Sequence, residues 1–214
     1  MGEWQNSAWV KSSDTTAIQA ALVDIFGSEK RSLVAKPPAR KPARQDRMQY
    51  GKAADSPLWA VAMIPGAAGW TLLKTAPFEL LCEKAPKAKG PRLAALAKAL
   101  GCDAFQVNLY DGDSLVLVEA TARGVTKQSG VNFQEIDDPE ALDEDTFQPR
   151  FSLVDVPAQL KKAVSGDVVH ATRTIATALG GSNAESADNV LQVNVLIPHK
   201  DLRVSGARAL YFKG

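Results

Sequence analysis

Apolar residues recur along this chain at two spacings, and the switch between them outlines the elements. Ala8-Trp9-Val10-Lys11-Ser12 reads as a short edge strand leading into Asp14, a good helix N-cap. Ile18, Ala21, Leu22, Ile25 and Phe26 then fall on one helical face, with Gly27 as the stop. Residues 56–73 carry no charged side chain and reach the length of a membrane span. The cluster Pro65-Gly66-Ala67-Ala68-Gly69 would break a spanning helix. It predicts instead a turn joining strands at 58–64 and 70–75.

A second helix is predicted from Pro91 through Leu93, Leu96 and Leu100 to Gly101, with agreeing signals at both ends. The clearest element follows. Phe105-Gln106-Val107-Asn108-Leu109-Tyr110 and Leu115-Val116-Leu117-Val118 flank Asp111-Gly112, the pair that supplies the positive φ of a tight hairpin turn. Phe105, Val107 and Leu109 share a face that the alternation assigns to the core. Two more helices are predicted at 155–164 and 167–179, the latter with Val168, Ala171, Thr172, Ile175 and Leu179 on one face and Gly180-Gly181 as its stop. Strands at 190–197 and 208–213 close the chain. The expected fold is α+β: one domain over 1–214, a mostly antiparallel sheet with a β-hairpin at 104–120, and about four packed helices.

Two charged segments interrupt this pattern. A proline-rich loop at 36–54 carries Lys36, Arg40, Lys41, Arg44, Arg47 and Lys52 against Asp46 alone, and a loop at 135–148 opens with seven carboxylates in residues 135–145 and no basic residue among them. Their charges nearly cancel over the chain. At a net charge of +1 there is no global field to gather nucleic acid or an anionic membrane, so any charged partner must act locally. The two cysteines, Cys82 and Cys102, are too few for a disulfide framework and predict reduced, buried thiols in a cytoplasmic protein. The N-terminus lacks the basic start and apolar block of a secretory signal.

Candidate chemistry is sparse. Gly112-Asp113-Ser114-Leu115 resembles the nucleophile block of the GDSL esterases and lipases, and Asp167-Val168-Val169-His170 resembles their Asp-x-x-His pair. The resemblance implies a serine hydrolase using Ser114, Asp167 and His170. Its context opposes that reading, because Ser114 precedes the strand Leu-Val-Leu-Val, whereas the family's serine precedes a helix. The asparagine block Gly181-Ser182-Asn183 also follows the histidine pair that it should precede. His170 and His199 are too far apart, and the cysteines too scattered, for a zinc site. The acidic run lacks the loop pattern of a calcium site, and no Gly-Lys-Ser/Thr follows Gly66-Ala-Ala-Gly69 to make a phosphate cradle. No metal or other cofactor is expected.

Trp9-Val10, the first helix, Gly69-Trp70-Thr71-Leu72-Leu73-Lys74-Thr75, and Leu96-Ala97-Lys98-Ala99-Leu100-Gly101 leading to Asp111-Gly112-Asp113 together resemble small uncharacterised bacterial α+β proteins, some of the toxin-immunity kind. The likeness covers residues 4–120 and implies a non-enzymatic binding protein. On that reading Asp137, Asp138, Asp143 and Glu144 meet a basic protein partner. The alternatives are the Ser114 hydrolase and a weak polyanion binder using Arg40, Lys41, Arg44 and Arg47. Against nucleic acid stands the lack of aromatic interleaving and of any RNA-binding or helix-turn-helix motif.

Overall fold

A computed structural model describes residues 5–35, 52–66, 69–111, 114–132 and 206–214. Among them run β1 (Gln5–Val10), α1 (Thr15–Gly27), β2 (Ser32–Val34), β3 (Leu58–Pro65), β4 (Thr71–Ala76), α2 (Arg92–Leu100), β5 (Ala104–Tyr110), β6 (Ser114–Ala120), β7 (Thr126–Asn132) and β8 (Arg208–Lys213). The strands form one eight-stranded sheet in the order β2-β8-β3-β4-β1-β5-β6-β7, every neighbouring pair antiparallel. The α+β class and the antiparallel sheet therefore stand as expected. The described residues hold two α-helices, not four; the helices expected at 155–164 and 167–179, and the strand at 190–197, lie outside them.

The strand β1 is central, not an edge: it pairs with β4 on one side and β5 on the other. Its composition explains this, since Trp9, Ala8 and Val10 are all buried and so both faces are covered. The elements β2 and β7 carry no strong apolar alternation and were not expected. Both are the outermost of the described strands, where a weak pattern suffices.

Both helices pack on one face, where Ile18, Leu22, Phe26, Leu93, Leu96 and Ala97 meet Ala8, Val10, Trp59, Val61, Met63, Leu73 and Phe212. In α1 the Asp14 carboxylate accepts from the amides of Thr16 and Ala17, as a capping aspartate should. Gly27 is the last residue of α1 rather than its left-handed stop; Lys30 takes the positive φ, and Arg31 N–H returns to Phe26 O at 3.0 Å. Pro91 caps α2 from an extended conformation just outside it, and Gly101, with φ 62°, ends it as expected. The second sheet face, which holds Trp9, Leu72, Phe105, Val107, Leu109, Leu115 and Leu117, is buried as well. No helix among the described residues is long and apolar enough to cross a membrane, and the charge-free stretch forms the β3–β4 hairpin instead.

Candidate functional site

The strand β5 alternates as the sequence predicts, but only one of its faces is apolar. Phe105, Val107 and Leu109 fill the second face, while Gln106, Asn108 and Tyr110 turn to the helix side. Gln106 and Asn108 are wholly buried there, and Tyr110 is half-buried. A buried amide must find partners within the protein, and these find one another and the loop that joins β4 to α2. Gln106 Nε2 donates to Asn108 Oδ1 at 2.8 Å. Asn108 Nδ2 donates to Tyr110 Oη and to Cys82 Sγ, each at 3.3 Å. Tyr110 Oη donates in turn to Glu79 Oε1 at 2.7 Å. The three bonds from Gln106 through Asn108 and Tyr110 to Glu79 run in one direction and end on a carboxylate.

Asn6 of β1 fastens the loop above this row. Its Nδ2 donates to Thr75 O at 3.0 Å, Thr75 Oγ1 at 3.2 Å and Phe78 O at 2.8 Å, and the Phe78 ring meets Tyr110 edge-on at 5.3 Å. Further along the loop, Arg92 forms a two-bond fork with Glu29, 2.7 Å for each bond, and Nη1 donates to Leu80 O at 3.1 Å and Glu83 O at 3.3 Å. The loop is thus pinned at its start by β1 and at its end by α2.

The local field holds protons on the row. Burial, the bond to Glu79 and the charge of that carboxylate all push the Tyr110 phenol well above its ordinary range. Burial pushes the Cys82 thiol up to about 12; the Asn108 amide opposes this and the Glu79 and Glu83 carboxylates add to it. Cys102 is likewise raised, chiefly by burial. Neither cysteine is poised as a thiolate nucleophile. Among the described residues no group of three or more His, Cys, Asp or Glu side chains could hold a metal ion.

Ser114 opens β6, opposite Tyr110 on one side and Asn132 on the other. It therefore begins a paired strand, in keeping with the Leu-Val-Leu-Val that follows it. Asp167 and His170, the carboxylates Asp137, Asp138, Asp143 and Glu144, and the cations Arg40, Lys41, Arg44 and Arg47 lie outside the described residues.

Reading the sequence missed the row itself. The signal was present in β5, whose polar positions are spaced by two like its apolar ones, but a polar face next to an Asp-Gly turn reads as solvent-facing. It also missed Lys74, wholly buried in β4 on the second face, whose Nζ donates to Asn6 O and Ser7 Oγ at 2.5 Å each. No protein-family model matches the chain, and neither a curated protein nor a solved structure matches it.

Proposed function

We propose that this is a non-enzymatic interaction protein that binds a basic protein partner through the carboxylates following β7. The observation that carries the reading is the pairing of Ser114. A nucleophilic serine needs an exposed position on a sharp turn with a base in reach, whereas Ser114 begins a strand paired on both sides. Its phenolic neighbour Tyr110 keeps its proton and gives its hydrogen bond to Glu79, so it is no base for a serine.

Support for the partner's chemistry comes from the chain itself. The strand β7 ends at Asn132, and seven carboxylates follow within residues 135–145. Carboxylates so close together repel one another, and a cationic surface relieves that repulsion while steering association. The resemblance of residues 4–120 to small uncharacterised bacterial α+β proteins, some of the toxin-immunity kind, implies such a role.

Two measurements on the full chain test the proposal. A serine-directed fluorophosphonate leaves Ser114 unlabelled in the folded protein. Replacing Asp137, Asp138 and Asp143 by Asn and Glu144 by Gln slows association with the partner isolated by cross-linking, and flattens its dependence on salt. Labelling of Ser114, or an on-rate and salt dependence unchanged by the four substitutions, overturns it.

A further inference from the structure

The row on β5 has one atom out of place. Gln106 Oε1 is buried with no hydrogen-bond partner among the described residues, although the same amide's Nε2 is well bonded to Asn108. A buried acceptor left unpaired costs about 1–3 kcal/mol, and a half-turn of the Gln106 amide made together with one of Asn108 would move the deficit from Oε1 to Nε2. Gln106 is therefore nearly indifferent to its own orientation. What fixes it is the neighbour that needs a donor or an acceptor.

Each neighbour is equally adaptable. Asn108 has a donor and an acceptor end, the Tyr110 hydroxyl gives or takes a hydrogen bond, and the Cys82 thiol does both weakly. Only Glu79 is decisive: ionised it can only accept, and protonated it carries one O–H to give. Glu79 is also partly exposed, so it exchanges protons with solvent while Gln106 and Asn108 are wholly buried.

We propose that Glu79 is a proton switch that sets the direction of the whole row. With Glu79 ionised, donation runs from Gln106 to Asn108 to Tyr110 to Glu79, with Asn108 also donating to Cys82. When Glu79 takes a proton from solvent, it donates to Tyr110 Oη, and the Tyr110 O–H turns to Asn108. Asn108 rotates its amide to present Oδ1, which accepts from Tyr110 and from the Cys82 S–H together. Its Nδ2 then donates to Gln106 Oε1, the acceptor that lacked a partner. Among the described residues each state contains four hydrogen bonds and one unpaired Gln106 atom, so the reversal keeps their number. Its effect is to carry the protonation state of a surface carboxylate, as a direction of hydrogen bonding, into the covered side of the sheet.

Among the described residues, the charged and titratable groups that couple to Glu79 come from β5 and from its own loop. Tyr110 faces it from β5, and Cys82 and Glu83 face it from its own loop. Behind Glu83 lie Arg92 of α2 and Lys52. The inference stands apart from the interaction proposed above and does not depend on it.

Side-chain amide NMR on the full chain tests it. At a pH where Glu79 is ionised, the Asn108 Nδ2 protons show NOEs to the Tyr110 ring and the Cys82 β-protons. As the Glu79 carboxyl carbon titrates, those NOEs give way to ones with the Gln106 γ-protons, with the same midpoint. In Tyr110→Phe the carboxyl still titrates but the Asn108 NOEs no longer change. If the wild-type NOEs keep one pattern through the Glu79 titration, or if Tyr110→Phe switches as the wild type does, the proposal falls. The wild-type titration decides alone should the variant fail to fold.

Discussion

The Tyr110 hydroxyl donates a 2.7 Å hydrogen bond to Glu79, joining the last residue of β5 to the loop between β4 and α2. The bond is charge-assisted, and the phenol ring is at the same time packed against Phe78 of that loop. Tyr110→Phe keeps the ring and removes the bond. Because Glu79 is partly exposed and can recover water, the loss is expected near the low end for a charged acceptor, about 1.5 kcal/mol by urea unfolding. No change in the unfolding midpoint would mean that the bond contributes nothing to holding the loop.

Stability is expected to fall at alkaline pH. Cys82 has an ordinary value of 9.0 and is held near 12, Tyr211 is raised from 10.0 to about 12, and Tyr110 and Cys102 are also raised. Burial is the leading cause in all four. Below pH 9 both states keep these protons, so their contribution is fully present and flat. Above it the unfolded chain loses protons that the folded protein retains; the unfolded state then binds fewer, and stability drops as pH rises. Urea midpoints measured from pH 8 to 11 should decline steadily, and Tyr211→Phe should make the decline shallower. A midpoint that is level or rises over that range would contradict this account.

How much of this was legible in the sequence follows from how local each signal is. Asp14 as a cap, Gly101 as a left-handed stop, and the two hairpins each depend on residues close together in the chain, and each was read correctly. The two-period alternation of β5 likewise placed Phe105, Val107 and Leu109 in the core. What could not be read depends on distant residues: β1 was taken for an edge because nothing in its few residues shows that β4 and β5 close over both sides. Glu79 and Cys82 reach Tyr110 and Asn108 only after the sheet forms, so the polar alternation of β5 is visible in its own window but the partners that complete the row are not.

The Arg92–Glu29 fork offers a test of the loop's other anchor. Arg92 is 3% exposed and Glu29 9%, with two bonds of 2.7 Å between them, and the guanidinium also lies 4.8 Å from the centre of the Trp59 ring. Arg92→Met leaves Glu29 with a nearly buried charge and no fork, which typically costs about 3–5 kcal/mol. Adding Glu29→Met removes the stranded carboxylate. The double variant is therefore expected to be more stable than Arg92→Met alone, as read by urea unfolding in a double-mutant cycle. Additive losses would show that the two side chains act independently.

Two glycines separate space from backbone freedom. At Gly66, in the turn between β3 and β4, an added Cβ would sit 2.9 Å from Trp70 O and 3.0 Å from Trp9 Cζ3. Trp9 is wholly buried, and the carbonyl of Trp70 is held by Gly66 N–H at 2.8 Å, so neither neighbour can retreat cheaply. Gly66→Ala is expected to cost about 1–3 kcal/mol, as overpacking does elsewhere. At Gly27 an added Cβ meets nothing within 4 Å, and the residue is helical. There alanine only restricts the unfolded chain and favours the helix, for a gain of about 0.5–1 kcal/mol. Thermal or urea unfolding of the two single variants should shift in opposite directions. If both destabilise, the end of α1 needs glycine for a reason other than space; if neither does, the Trp9 and Trp70 contacts around Gly66 are loose enough to absorb a methyl group.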